Sequence, residues 1–576
     1  MKELLKYLKK YTGEAIVAPL FKLFEALLEL AVPIVVAGII DRGIGGEDNA
    51  YIVRMCLLLL LMGAVGLAFS LTAQYFSAKA ACGVSADIRS ALFGKIQSLS
   101  HSQLDKKGNA TLITRMTGDV NQVQTGVNLT LRLLLRSPFV TFGAMVFAFI
   151  VGKNAPTATV TFAVVIPVLL AVVFVILLAG IPIYGQAQGK LDGVTGKLRS
   201  NLDGARVIRA FRLEARENEE FSRRALLQKR FQLVAGRISG LLNPLTYVIV
   251  NLAIIALLKN GAAEVNSGAI TQGELVALYN YMTQILVELI KMANLIITVT
   301  KALACAKRIS AVMSETTDMT VESGLEADNT RSFVSFKGVS FAYSGASGEV
   351  LSGVDLDADR GERVGIIGGT GSGKSSLVSL IPRFYDVNAG SVAIDGVDVR
   401  SIEPDELRAR IGFAAQHATL FSGTIRENMK WGKPDADDEE IYAALNAAQI
   451  GELVRQKENG LDSRIEQGGR NLSGGQRQRL NVARALVRRP EILILDDTSS
   501  ALDRVTDAAL RRAVRELDYS PTVFIVSQRV ETIKDCDKIA VLDSGRIVGV
   551  GSHDELCSSC EVYREICNSQ KGGSAI

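Results

Sequence analysis

The sequence predicts a multi-domain chain: an all-α membrane half of six spanning helices, followed by an α/β half built on a phosphate-binding loop. Three observations carry that expectation. Hydrophobic residues make up 48% of the 576 residues, and the long uncharged stretches all lie before residue 300. From about Arg331, short β-branched runs alternate with charge-laced helical segments, the pattern of an α/β domain. Within that half, Val364–Ile367 runs straight into a glycine-rich turn at residues 368–375. Lys+Arg 64 against Asp+Glu 60 leaves a net charge of +4, which gives no reason to expect a nucleic-acid partner. The apolar excess also excludes disorder, collagen and an all-soluble enzyme.

No charged residue interrupts Met55–Ala78, Ser137–Gly152, Asn154–Gly189 or Ile238–Leu258. A spanning helix needs roughly 20 mainly apolar residues. The flanking Leu133, Leu134 and Leu135 extend the second stretch, and two further spans carry charges: one with Lys22, Glu25 and Glu29, one with Glu288 and Lys291. The spans fall at about 16–40, 55–78, 133–152, 158–183, 238–258 and 275–300. Lys and Arg crowd the long connections after spans two and four, Arg132 and Arg136 among them, and are sparse in the short ones. By the positive-inside rule the long connections and both termini face the cytoplasm. Met1–Lys10 reads as an amphipathic helix on the inner membrane surface, with Leu4, Leu5 and Leu8 on one face, and not as a signal peptide. Glu25 and Glu29 are expected to pair with Lys22 or stay hydrated near the interface rather than form a cation-attracting wall. Glu288 and Lys291 are expected to neutralise each other. The membrane domain takes residues 1–318, a polar linker 319–330, and the α/β domain 331–576.

Gly368-Gly369-Thr370-Gly371-Ser372-Gly373-Lys374-Ser375 follows a strand and precedes a helix beginning near Ser376, the context that confirms a P-loop. Successive backbone N–H groups cradle phosphates there, and glycine permits their close approach. Lys374 would reach the β- and γ-phosphates of ATP, and Ser375 would ligate Mg²⁺. Ile492–Leu495 is an apolar strand ending in Asp496, a carboxylate placed to hold the Mg²⁺ shell.

Leu472-Ser473-Gly474-Gly475-Gln476, between those two phosphate motifs, resembles the signature of ATP-binding cassette (ABC) proteins. By the same resemblance Tyr343 is the adenine-stacking aromatic, Gln416 the Q-loop glutamine that joins Ser375 and Asp496 at Mg²⁺, and Ser500-Ala501-Leu502-Asp503 the D-loop. Six spans followed by one cassette is similar to a half-transporter of the ABC exporter fold. The resemblance implies ATP and Mg²⁺ as cofactors, a multi-pass place in the cytoplasmic membrane among lipid, and coupling helices near Asn109–Arg115 and Phe211–Phe221. It also implies head-to-tail pairing, in which this chain's signature completes the phosphate site of a second half-transporter.

Two departures from the family pattern are informative. After Asp496 the family has a glutamate that orients water; here Asp497 is one methylene shorter, about 1.5 Å withdrawn, and misplacement on that scale costs roughly 10²-fold. Where the family has a histidine stands Gln528, which hydrogen-bonds but carries no titrating proton near neutral pH. As catalytic residues both are expected to be weak, while every binding element is intact. This fits one subunit of a heterodimeric, bacterial multidrug-type exporter with a degenerate ATP site, whose partner carries the family's Glu and His. The substrate would be a small molecule, lipid or peptide. The alternatives are a regulatory ATP-binding subunit with no transport role and a homodimeric exporter with slow hydrolysis.

Seven cysteines are scattered outside the expected external loops, so structural disulfides are not expected. Cys557-Ser-Ser-Cys560 with His553 and Cys567 has the composition of a zinc set. Its loose spacing and its likeness to an ordinary C-terminal helix of the family favour a purely structural role.

Overall fold

The computed structural model describes residues 2–322, 332–346 and 348–571. It divides into two compact units, Met1–Gln97 with Ala110–Glu315, and Ser98–Asn109 with Thr316–Ile576.

Helices alone make up the first unit among the described residues. They are α1 (Lys2–Lys9), α2 (Thr12–Gly38) and α3 (Asn49–Gln97), then, after α4 (His101–Lys107) of the second unit, α5 (Asn109–Thr114), α6 (Val120–Leu133) and α7 (Arg136–Val151). The series closes with α8 (Pro156–Asp203), α9 (Ala205–Ala210), α10 (Glu214–Gly240), α11 (Leu242–Asn266) and α12 (Gln272–Met313). Among the described residues six helical stretches are long and apolar enough to cross a membrane: Thr12–Ile44, Asn49–Gln97, Asn109–Val151, Thr159–Asp203, Glu214–Asn266 and Gln272–Met313. Each expected span falls inside one of them to within a residue. At 1.5 Å per residue α3 extends about 70 Å, more than twice the hydrocarbon thickness of a bilayer.

Local sequence explains the ends. Thr271 caps α12 with a reciprocal box: its hydroxyl accepts from Glu274 N at 3.1 Å, and the Glu274 carboxylate accepts from Thr271 N at 2.8 Å. Asp41 then ties this cap to the end of α2, accepting from Thr271 Oγ1 at 2.6 Å and Gly273 N at 2.8 Å. A side chain at Gly273 would meet Ala37 O at 2.3 Å, so only glycine lets the two backbones approach. The buried seam holds Leu30, Val140, Ala144, Phe162, Leu257, Leu278 and Met282. Leu57, Leu60, Leu61, Leu67 and Leu71 stay exposed along α3, as lipid-facing positions do.

The charges that the sequence places inside the first and last spans are paired. Lys22 Nζ meets Glu25 Oε2 at 2.5 Å and donates to Ser70 Oγ at 3.1 Å, and Lys291 Nζ donates to Glu288 Oε1 at 2.8 Å. Arg136 corrects the sequence reading. It is not a basic residue of a cytoplasmic connection but a buried one, bridging Glu29 at 2.5 Å and Glu288 at 2.7 Å. Ser137 Oγ adds a donor to Glu288 at 2.9 Å. Three basic side chains face three carboxyl groups in these pairings. Leu4 and Leu5 of the expected amphipathic face lie outside the described side chains.

Strands and helices alternate in the second unit. A six-stranded sheet has the order β12-β11-β3-β10-β9-β6, and a four-stranded one the order β2-β1-β4-β5. In chain order the strands are β1 (Val334–Phe341), β2 (Leu351–Ala358), β3 (Arg363–Gly368), β4 (Ala389–Ile394), β5 (Val397–Asp398), β6 (Ile411–Ala414), β7 (Gly423–Thr424), β8 (Arg464–Ile465), β9 (Ile492–Asp496), β10 (Thr522–Val526), β11 (Lys538–Asp543) and β12 (Arg546–Gly551). The core of the larger sheet, β11-β3-β10-β9-β6, is parallel throughout. β9 and β10 are buried end to end and β3 from Val364 onward, which explains their apolar runs. Residues 319–322 of the expected linker lie against this unit through Arg383 and Arg400, which bond Thr320 O and Glu322 N; the rest of that linker lies outside the described residues.

Of the first expected coupling segment, Asn109 falls in the α/β unit, which takes Ser98–Asn109 with α4, and residues 110–115 fall in the first unit. Ser100 and Gln103 cap α4 reciprocally. The His101 ring lies 4.7 Å from the Phe384 ring, and Tyr385 donates a hydrogen bond of 2.8 Å to Asp105. The second segment, 211–221, lies in the first unit, with Phe211 exposed.

Candidate functional site

The site forms at the carboxyl ends of β3, β9 and β10, where a doubly wound sheet leaves a crevice. β3 delivers Gly368, and the chain turns through Gly371 and Gly373 at φ of 82° and 100°, conformations open to glycine. A side chain at Gly373 would strike Leu351 Cδ2 at 2.7 Å, and one at Gly368 would strike Leu542 O at 2.0 Å. The helix Lys374–Leu380 starts directly on this turn, so its free N–H groups face the loop's interior.

Lys374 curls back over the loop. Its ammonium donates to Gly368 O at 3.0 Å and Gly369 O at 2.6 Å. Burial holds it below the usual lysine range, partly offset by Asp497 and Asp496. Ser375 Oγ donates to Asp496 Oδ1 at 2.8 Å, which joins the two oxygens that a divalent cation would use. Burial, with Asp497 beside it, raises the Asp496 carboxyl against the lowering contact from Ser375. Burial likewise raises Asp497. A buried carboxylate held by a hydroxyl, beside a turn whose Gly368 and Gly373 leave no room for a side chain, is a donor set that fits Mg²⁺-nucleotide.

Asp497 sits at φ 44°, immediately after β9, with its N–H on Val526 O at 3.0 Å. Its Oδ2 accepts from Gln416 Nε2 at 3.2 Å, and its carbonyl accepts from Ser500 Oγ at 2.8 Å. The sequence-chosen residues Lys374, Ser375, Gln416, Asp496, Asp497 and Ser500 therefore meet in one place. Tyr343 stands beside them, its hydroxyl 2.9 Å from Ser376 Oγ and its ring edge-on to Phe341 and Tyr385. Thr370 at the tip of the loop is exposed, and Ser372 is buried beneath it.

Gln528 follows β10 and is exposed. Its carbonyl accepts from Gln570 Nε2 at 2.7 Å, while Val530 N donates to Gln570 Oε1 at 2.9 Å. This two-point clasp from the C-terminal helix was invisible in the sequence, because a lone glutamine carries no motif. Ser473 caps the helix Gly474–Leu486 reciprocally with Gln476, at 3.3 and 2.9 Å. Leu472 is buried beneath, while Ser473 and Gly474 point outward. Gly475 backs onto Ala501 O and Leu502 of the D-loop, whose Asp503 caps the next helix by accepting from Thr506 N at 2.9 Å.

Residues 15–289 match the family model described as the ABC transporter transmembrane region, and residues 351–500 match that described as ABC transporter. An uncharacterized ABC transporter ATP-binding protein of Mycobacterium tuberculosis is 34% identical over 98% of this chain and 97% of its own length. A fatty acid ABC transporter ATP-binding/permease protein of Mycobacterium bovis is 32% identical over 83% of this chain and 75% of its own. The solved structure of a bacterial Atm1-family ABC exporter with ATP bound superposes with a TM-score of 0.82 at 24% identity, covering 98% of each chain.

Proposed function

Because the chain belongs to the ABC transporter family, we propose that it couples ATP to export of a hydrophobic or amphipathic substrate as one half of a heterodimer. Its own ATP site would bind nucleotide and hydrolyse it poorly, while Ser473, Gly474 and Gly475 serve the partner's competent site. One observation carries this reading: the sequence has Asp497 and Gln528 at the positions where the family pattern has a longer carboxylate and a titrating imidazole. Ser375 remains bonded to Asp496, and Lys374 to the loop carbonyls of Gly368 and Gly369, which speaks against general decay.

ATP favours the closed cassette pair, and loss of the γ-phosphate removes that preference. Asp497, short and already bonded to Gln416, would hold water badly in line. The exposure of Ser473 and Gly474 supports a role for them toward a neighbour's phosphates. An amphipathic substrate is supported by the fatty-acid relative. It is also supported by a cavity of about 500 Å³ in the membrane unit, walled by Leu28, Val32, Leu59 and Met62 with Glu29 and Arg136 at one side.

The test is ATPase activity of the full chain in proteoliposomes, alone and with a co-expressed partner carrying the consensus Glu and His. The chain alone is expected to match its Lys374→Ala variant. The pair is expected to turn over, to survive Asp497→Asn and to lose activity with Ser473→Arg. Brisk turnover by the chain alone that Asp497→Asn abolishes would overturn the heterodimer reading and leave a homodimeric exporter.

A further inference from the structure

The C-terminal helices His553–Ser559 and Glu561–Lys571 bring together three ligating side chains that no part of the nucleotide site uses. One ligating atom from each of His553, Cys557 and Cys567 lies within 4.8 Å of the other two. The spacing that looks loose in the sequence consists of helical steps. His553 and Cys557 are four apart on the first helix, and Tyr563 and Cys567 four apart on the second, so each pair shares a face.

Tyr563 sets the orientation. Its buried hydroxyl lies 2.7 Å from His553 Nδ1 and is also in hydrogen-bond contact with Cys567. An Nδ1–H donating to the Tyr563 oxygen would leave the Nε2 lone pair for a ligand, and Nε2 is the nitrogen nearer Cys557 Sγ, at 3.8 Å against 4.0 Å. A second ring nitrogen bonded to an oxygen is how a metal-bound histidine is held in its tautomer. Around a tetrahedral ion with Zn–S near 2.3 Å and Zn–N near 2.0 Å, neighbouring donors stand roughly 3.5–3.8 Å apart. The trio therefore needs only small side-chain rotations to close. Cys560 is buried against Gly549 and stays outside the trio.

We propose that His553, Cys557 and Cys567 bind one thiophilic divalent cation of the zinc type, which staples the two C-terminal helices together. One nitrogen and two sulfurs select such an ion over Mg²⁺, which requires oxygen ligands. His553 and Cys557 are half-buried, so the fourth position is open to solvent.

The experiment uses the full chain in detergent, chelator-stripped and free of nucleotide, with Zn²⁺ and Co²⁺ as probes. Wild type and Cys560→Ser are expected to retain one Zn²⁺ per chain after desalting, to rise in unfolding temperature on Zn²⁺ addition, and to show thiolate-to-cobalt charge-transfer absorption with Co²⁺. Cys557→Ser and Cys567→Ser are expected to lose at least tenfold in Zn²⁺ affinity together with that absorption. ATP binding is measured in each variant as the check on folding. If the cysteine variants fail that check, His553→Gln, which keeps both thiols, decides by the same readouts. Absence of the charge-transfer band in wild type, equal zinc content in wild type and Cys557→Ser/Cys567→Ser, or loss of binding in Cys560→Ser alone would overturn the proposal.

Discussion

At residue 497 the chain substitutes one carboxylate for another, and the consequence is one of reach. Gln416 already engages the shorter side chain at 3.2 Å, so the acid belongs to the site but is drawn toward the Q-loop position. Asp497→Glu is expected to raise steady-state ATP turnover at this chain's own site by about 10²-fold, measured in proteoliposomes with the partner's catalytic carboxylate removed. Gly373 makes the opposite argument. Its φ of 100° and the 2.7 Å approach to Leu351 leave no room for a methyl group. Gly373→Ala is expected to weaken ATP binding at least tenfold in a fluorescent-nucleotide titration, because the cradle opens as the backbone shifts.

Between elements, two contacts govern behaviour. α4 rests on Phe384 and Tyr385 through His101, whose imidazole is held below its ordinary range by burial and by Arg408, against the raising influence of Asp105. A histidine with a depressed folded pKa contributes stability that is fully present above its unfolded value, near 6.5, and is lost as pH falls toward the folded value. The unfolding temperature of the full chain is therefore expected to drop between pH 7 and pH 5, and to drop less in His101→Phe, which keeps the ring contact and removes the proton. The second contact is Arg136, which links α2 to α12 through Glu29 and Glu288. Arg136→Met leaves Glu288, only 2% exposed, with Lys291 as its remaining cation. Breaking a buried pair from one side costs about 3–5 kcal/mol, so a clear fall in detergent unfolding temperature is expected, with Glu288→Gln in the same background restoring part of it.

For the whole molecule, the signature and the P-loop are both built, yet a nucleotide sandwiched between them in the head-to-tail manner takes one motif from each of two chains. Affinity purification of the full chain from its native membrane is expected to recover a second half-transporter at equal stoichiometry, read by intact mass, and the partner's sequence is expected to carry the glutamate and histidine that this chain lacks. Recovery of the chain only with copies of itself would contradict the division of labour.

Much of this was legible in the linear order of residues. Spans announce themselves because a bilayer demands some 20 apolar residues in a row, and the P-loop because glycines, Lys374 and Ser375 act through neighbouring backbone. β9 could be read residue for residue, since a strand buried on both faces admits no polar interruption before Asp496. What depends on distant partners could not be read in this way. Arg136 looked like one more cytoplasmic cation until α2 and α12 closed around it. Gln570 had no motif until its helix reached the loop at Gln528. His553, Cys557 and Cys567 looked too loosely spaced for one site until two helices turned one face of each together. Local backbone chemistry is written in short stretches of chain, whereas a side chain's charge state, neighbour or ligand is decided by which elements pack beside it.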